Sequence, residues 1–298
     1  MGKKRVQGMI SLLLALVVLI ITYYKGPVLL ENLKQAKLNW IVVGLGCHFV
    51  NYIIRALRIK TISGQYLKIW PDTIHTACFH GFATYMLPFR TGDFTLPVIL
   101  KTVSKTSLSE GGRILLKARL LDISTLGFWI LLAATFSYIP ISYSIRIAWF
   151  IVGVGMCLSP VIIKYLGKLW GKKFPGLFSR IEIFQTVYRF SGLEVLESLG
   201  IWAAVGMCFY CVVKAVGLPL GLGDVWLLIT IQLPLQLIPV QGFANAGNHE
   251  SGWVAGLMIL GVSASEALKF ALASHAILLS YVLVIGFIAF FTQIIFRR

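Results

Sequence analysis

Apolar runs of about twenty residues dominate this chain, at about 8–24, 38–59, 113–137, 143–166, 194–217 and 268–295, each long enough to cross roughly 30 Å of hydrocarbon as a helix. Two further apolar regions, about 73–107 and 224–263, are interrupted by Pro and Gly. The first interruption reads Pro88-Phe89-Arg90-Thr91-Gly92-Asp93. The second, after Pro239, reads Gly242-Phe243-Ala244-Asn245-Ala246-Gly247-Asn248-His249-Glu250. A backbone in lipid must satisfy its own N–H and C=O groups, so a break at that depth survives only where protein or trapped water replaces lipid around it. A polar site is therefore expected at the two breaks.

Charged residues make up only 13% of the chain, against about a quarter in soluble domains, which excludes an ordinary soluble fold. The run from Met9 to Tyr24 follows a basic start like that of a secretory signal, but no small-residue cleavage site follows it, so a retained first span is expected. The net charge of +16, from 27 basic and 11 acidic residues, would suggest nucleic acid in a soluble chain. Here the positive-inside bias accounts for it, and no nucleic-acid partner is expected. With the N-terminus in the cytoplasm most basic residues fall on that side, which gives a multi-pass protein of the cell (plasma or inner) membrane with both termini cytoplasmic. Segment 26–37 has the pattern of an interfacial helix, and the basic loop 167–192 suits anionic headgroups as well as it suits topology.

The two broken regions resemble each other when Asp93 and Glu250 are aligned. Leu100 and Leu257 then coincide, Glu110 and Glu266 nearly so, and Val103-Ser104 falls beside Val262-Ser263 after a one-residue gap. An odd number of spans per half would invert one half relative to the other, a recurring transporter architecture. The expected fold is all-α: one transmembrane domain over 1–298, with about six full spans and two re-entrant helical hairpins, in inverted repeats of about 8–137 and 143–295.

An acid at membrane depth costs about 2.5–3.5 kcal/mol on insertion scales and needs a partner. Arg90 lies three residues before Asp93, so one reading is a polar cavity in which Arg90 holds an anion while Asp93 and Glu250 pair with it or take a proton. The other reading is a set of ion pairs that pin the hairpins together. Arg119 and Asp122 share a helical face, either as an interfacial pair or as part of the site. Asn248 and His249 flank Glu250 and are placed to extend a hydrogen-bonded network. Gln232 and Gln236 are read as packing residues, and Arg55, four residues after Asn51, stays open. The five cysteines lack disulfide or zinc spacing, His75 and His80 do not share a helical face, and no nucleotide loop or nucleophile elbow is present. No cofactor or metal is expected.

Three ordered motifs, Pro88-x-Arg90-x-Gly92-Asp93, Ala118-Arg119-Leu120-Leu121-Asp122 and Gly247-x-x-Glu250 followed by Gly261-Val262-Ser263-Ala264-Ser265-Glu266-Ala267, resemble the membrane region of lysylphosphatidylglycerol synthases, which is shared with stand-alone flippase-like proteins. The resemblance spans nearly the whole chain. It implies lipid translocation without synthesis, since the chain ends at Arg298 without a synthase domain, and it points to Arg90, Gly92, Asp93, Arg119, Asp122, Gly247 and Glu250 as site residues. Asp93 replaces the family's usual Glu, Leu96 stands where an Arg often follows, and the second motif is longer and less glycine-rich than usual, departures that bear on which lipid is carried. The implied partners are membrane lipids, either an anionic phospholipid or a polyprenyl-phosphate-linked lipid, and a separate lipid-modifying transferase; a homo-oligomer stays open. The rival expectations are an intramembrane headgroup-modifying enzyme with Asp93 or Glu250 as general base, and a non-transporting partner of a lipid-modifying enzyme.

Overall fold

The computed structural model describes residues 33–64, 67, 71–136, 142–173, 186–237 and 241–296, with isolated positions between 16 and 30. Most of the expected first span, residues 28, 29, 31 and 32 of the interfacial segment 26–37, Pro239 and residues 174–185 of the loop 167–192 lie outside the described residues. Every regular element among the described residues is helical: α1 (Leu38–Ser63), α2 (Asp72–Met86), α3 (Thr95–Ser104), α4 (Leu108–Phe136), α5 (Tyr143–Cys157), α6 (Ser159–Lys173), α7 (Gly192–Val216), α8 (Leu222–Leu237), α9 (Asn248–Ile259) and α10 (Ala264–Phe296), with short 3₁₀ turns at Pro88–Phe94 and Phe243–Asn245.

Three of these, α1, α7 and α10, are long and apolar enough to cross a membrane, and α5 with α6 makes a fourth if the bent pair is one span. The sequence had suggested one straight helix over 143–166. Instead the axis turns by 55° between Cys157 and Ser159. Pro160 explains the turn, because it lacks an N–H and crowds the preceding turn, so it sits in the first turn of a new helix. The expected span 113–137 falls on α4 up to Phe136, and the first half of this helix carries Glu110, Arg113, Lys117, Arg119 and Asp122; it is not among the helices apolar enough to span.

Helix α1 packs along α7, where the Lys37 N–H donates to the Ala215 carbonyl at 3.0 Å and Leu45 and Cys47 lie against Cys208 and Val212. The start of α7 is set by a reciprocal cap. Ser191 Oγ accepts the Glu194 N–H, Glu194 accepts the Ser191 N–H at 2.8 Å, and the same carboxylate holds Lys117 of α4 at 2.6 Å. The closing helix α10 lies on α2, and α8 lies on α4, with Trp129 and Trp226 stacked at 4.4 Å. Each helix pair around a break is thus clamped by a long helix from elsewhere in the chain. The faces turned away from these contacts on α5 and α6 carry exposed Ile147, Phe150, Ile151, Val161 and Leu169, as a lipid-facing surface requires.

Candidate functional site

Helix α2 stops where the sequence forces it to. Leu87, preceding Pro88, is extended at φ −84° and ψ 137°, and the next two residues, Phe89 and Arg90, both adopt left-handed backbone at φ 55° and 54°. For non-glycine residues that conformation costs roughly 1–2 kcal/mol each, so the surrounding contacts must hold it. Gly92 makes one of them possible: a Cβ there would come within 2.2 Å of the Ala83 carbonyl oxygen. The turn packs flat on α2 because residue 92 has no side chain. Thr95 Oγ1 donates to the Gly92 carbonyl at 2.6 Å and α3 starts.

The second break is built differently. The Gly242 N–H donates to Ala246 O at 3.1 Å and the Ala246 N–H to Phe243 O at 3.0 Å, closing a small loop in which Ala244 and Asn245 are left-handed at φ 53° and 62°. Gly247, at φ 80°, launches α9, and Glu250 reaches back to accept the Gly247 N–H at 2.8 Å. An acid at this place satisfies a donor that the helix start leaves open.

The two breaks touch. The Phe89 N–H donates to Gln241 O at 2.9 Å, and the Gln241 side-chain amide donates to the Thr84 and Tyr85 carbonyls, both at 3.1 Å. These carbonyls lie in the last turn of α2, where helix geometry leaves acceptors open.

Beside this junction lies a cavity of about 580 Å³, lined by Arg55, Arg58, Arg90, Arg119, Asp93 and Asp122, with Met156, Val205, Phe209 and Leu278 among its apolar lining. Asp93 meets Arg90 at 3.7 Å and is paired with Arg119; Arg119 also holds Asp122 at 3.1 Å, and Asp122 holds Arg58 at 2.5 Å. Arg58 Nη1 further donates to Ser198 Oγ at 3.1 Å, and Arg55 Nε to Asn51 Oδ1 at 3.0 Å. Four guanidiniums against two carboxylates leave an excess of two positive charges on the wall, before any histidine is counted. Arg58 is deeply buried, at 3% exposure, whereas the side chains of Arg119 and Arg90 are 28% and 24% exposed, so the inner end of the network is sealed and the outer end open.

Of the sequence-predicted residues, Arg90, Asp93, Arg119 and Asp122 therefore come together around one cavity. Gly92 supports them from behind. Gly247, Asn248 and Glu250 stand at the start of α9 and do not line it, although their neighbours Asn245 and His249 do. Glu250 does not pair with Arg90: its partner is His275 on α10, whose other ring nitrogen lies 2.7 Å from Ala244 O. Asn248 Nδ2 donates to Asn245 Oδ1 at 3.4 Å, within the same turn. Gln232 lines the cavity and packs against Gly252, while the Gln236 side chain lies outside the described residues.

Sequence reasoning missed Arg58 and His275. Arg58 lies near the end of the expected span 38–59 and was not singled out as a site residue; α1 continues to Ser63 and buries it. His275 is an ionisable residue within an apolar run, a signal strong enough to have singled it out. Among the described residues no group of His, Cys, Asp and Glu is arranged to hold a metal ion.

No curated protein and no solved structure matched the chain. Residues 8–286 match the family described as the lysylphosphatidylglycerol synthase TM region. Because that match covers all the helices around both breaks and the cavity between them, this chain belongs to the lysylphosphatidylglycerol synthase transmembrane-region family.

Proposed function

We propose that the protein is a lipid transporter of flippase or scramblase type, in which the arginine-lined cavity takes the anionic headgroup of a phospholipid or polyprenyl-phosphate-linked lipid while the chains stay in the bilayer. One observation carries this reading: the cavity between the two breaks has four arginines against two aspartates, and its outer arginines are partly open. Phosphate oxygens are well matched to guanidinium donors. In the same reading the protein is not an enzyme. Each cavity carboxylate is already bridged by two guanidiniums, Asp93 by Arg90 and Arg119, Asp122 by Arg58 and Arg119, an arrangement that suits charge balance better than proton abstraction.

The finer architecture of six spans, two re-entrant hairpins and inverted repeats belongs to the proposal. It is supported by the matching order of elements, α1, α2, α3 and α4 in one half and α7, α8, α9 and α10 in the other, with left-handed residue pairs in both breaks. It is supported too by the exchange of contacts, in which α10 closes on α2 and α4 on α8. Placement in the cell membrane with cytoplasmic termini, and cooperation with a separate lipid-modifying transferase, complete the reading.

A leaflet-exchange assay on proteoliposomes carrying headgroup-labelled phosphatidylglycerol tests it. The wild type is expected to exceed empty vesicles, and folded Arg90→Ala to be slower by about tenfold, the equivalent of about 1.4 kcal/mol. An Arg90→Ala rate equal to the wild type would remove the cavity from the transport path.

A further inference from the structure

We infer that Glu250 and His275 form a proton-binding site that clasps the second break, and that the proton it holds is coupled to movement of the headgroup; the coupling rests on the transport reading above, whereas the proton site does not.

The hydrogen-bond geometry forces the proton. His275 Nε2 lies 2.7 Å from the Ala244 carbonyl oxygen, which can only accept, so Nε2 carries hydrogen. The other ring nitrogen, Nδ1, faces Oε1 of Glu250. A bare imidazole nitrogen and a bare carboxylate oxygen both present lone pairs, and they sit together only with a proton between them. That proton resides on Nδ1, giving an imidazolium–carboxylate pair, or on the carboxyl, giving a neutral pair. Both forms have zero net charge, the state that a site only 7% and 8% exposed favours. The second carboxylate oxygen accepts the Gly247 N–H at 2.8 Å.

The pair therefore grips the break at both ends, at the Ala244 carbonyl and the Gly247 amide. Between them lie the left-handed Ala244 and Asn245, and Gly247 itself at φ 80°. When the proton leaves, the N–H or O–H bond holding it breaks, the proton passes to water of the adjoining cavity, and a carboxylate is left facing the lone pair of a neutral ring. The two side chains then repel, and the clasp on the break opens. The opening reaches the cavity along a short path, because Gln241, one residue before the loop closed at Gly242, is bonded through its backbone carbonyl to the Phe89 N–H, and Arg90 follows Phe89.

The elements packed on α9 and α10 bring two further titratable groups against the pair. These are His249 of α9, its ring 4.9 Å from that of His275 and its Nε2 2.9 Å from Ser274 Oγ, and Tyr85 of α2, its ring 6.2 Å away and edge-on. Both line the cavity and so connect the pair with it. Helix α1 brings His48 only beside Tyr281, α7 brings the Cys208 thiol to the same tyrosine, and α8 contributes the neutral Gln232 against Gly252.

Glu250→Gln separates the possibilities, because an amide oxygen still accepts the Gly247 N–H while the amide N–H donates to Nδ1, imitating the protonated acid. In proteoliposomes with headgroup-labelled phosphatidylglycerol, an imposed pH gradient is expected to change the wild-type rate by at least about fivefold, the lower range of ordinary coupling. Glu250→Gln is expected to give the same rate with and without the gradient; a response equal to the wild type overturns the coupling. His275→Gln takes its place if Glu250→Gln does not fold, with the same expectation. The site itself is read by nitrogen-15 NMR of histidine-labelled full-length protein in detergent, the His275 signal identified by its loss in His275→Gln. Hydrogen on Nε2, and an Nδ1 signal that moves in Glu250→Gln, support the site; a ring with Nε2 bare overturns it. A wild type that moves no labelled lipid in any gradient overturns the transport reading and the coupling together, while the NMR result still decides the site.

Discussion

Both breaks place an acid three residues after a positive-φ residue, Asp93 after Arg90 and Glu250 after Gly247, yet they treat it in opposite ways. At the first, Asp93 is one of two carboxylates threaded among guanidiniums on a cavity wall, with side-chain exposures of 19–28% from Asp93 to Arg119. At the second, Glu250 is enclosed, bonded on one side to a backbone amide and on the other to a histidine. Arginine keeps its charge under all ordinary conditions, so the first site holds a permanent excess of positive charge that an anion can answer. Histidine can shed its proton, so the second site can change its charge state without a ligand. One position carries a fixed charge; the other carries one that a proton can change.

That contrast gives the largest expected effect. Asp122→Ala strands Arg58, which is buried at 3% exposure and salt-bridged to Asp122, and a charge left unpaired in this way costs about 3–5 kcal/mol. Glu250→Ala leaves His275, which can become neutral, so its cost is expected to be that of an unmade buried hydrogen bond, about 1–3 kcal/mol. Denaturation of the two purified variants in the same detergent compares them directly. A Glu250→Ala loss as large as that of Asp122→Ala would mean that the second site is as ionic as the first.

A smaller effect distinguishes how the two turns are held. Gly92 is required by contact, since its missing Cβ leaves room for the Ala83 carbonyl, a backbone atom that cannot step aside. Gly247 is required by its dihedral, φ 80°. Gly92→Ala is expected to cost about 1–3 kcal/mol through overpacking, with the α2 junction displaced. Gly247→Ala is expected to cost roughly 1–3 kcal/mol through backbone conformation. Amide hydrogen exchange at Leu87, whose N–H donates to Ala83 O, is the distinguishing readout: it accelerates in Gly92→Ala and keeps its rate in Gly247→Ala. Equal acceleration in both would erase the distinction.

The existence of both breaks was legible because Pro, Gly and acidic residues interrupting apolar sequence are costly and therefore conspicuous. Arg90, Asp93, Arg119 and Asp122 were named for the same reason, and the structure gathers them. Partnership was not legible. Glu250 lies 25 residues from His275 in sequence, and only the packing of α9 on α10 reveals that they meet. Arg58 was passed over because a cation near the end of a span reads as positive-inside charge, whereas α1 runs on to Ser63 and its buried face receives the guanidinium against Asp122. The bend at Pro160 was not expected, because the apolar run continues on either side of it. Composition reports what must be buried, and contact decides against what.

The smallest effect concerns the tie between the regions. Gln241 contributes two kinds of bond: its backbone carbonyl accepts the Phe89 N–H, and its side-chain amide donates to the Thr84 and Tyr85 carbonyls. Gln241→Leu removes only the second kind. The two carbonyls lie in the last turn of α2, next to a cavity that Gln241 itself lines, so water can replace part of what is lost. The expected cost is about 1 kcal/mol, with protection of the Phe89 amide retained. Gln241→Glu is the sharper probe, because it sets carboxylate oxygens against two carbonyl oxygens in place of a donor. It is expected to destabilise more than Gln241→Leu and to expose the Phe89 amide to exchange, since repulsion at the side chain pulls on the backbone that holds it. If Gln241→Glu instead matches the wild type in stability and protection, the side-chain tie does not join the breaks, and the path from the Glu250–His275 pair to Arg90 must run through the backbone bond alone.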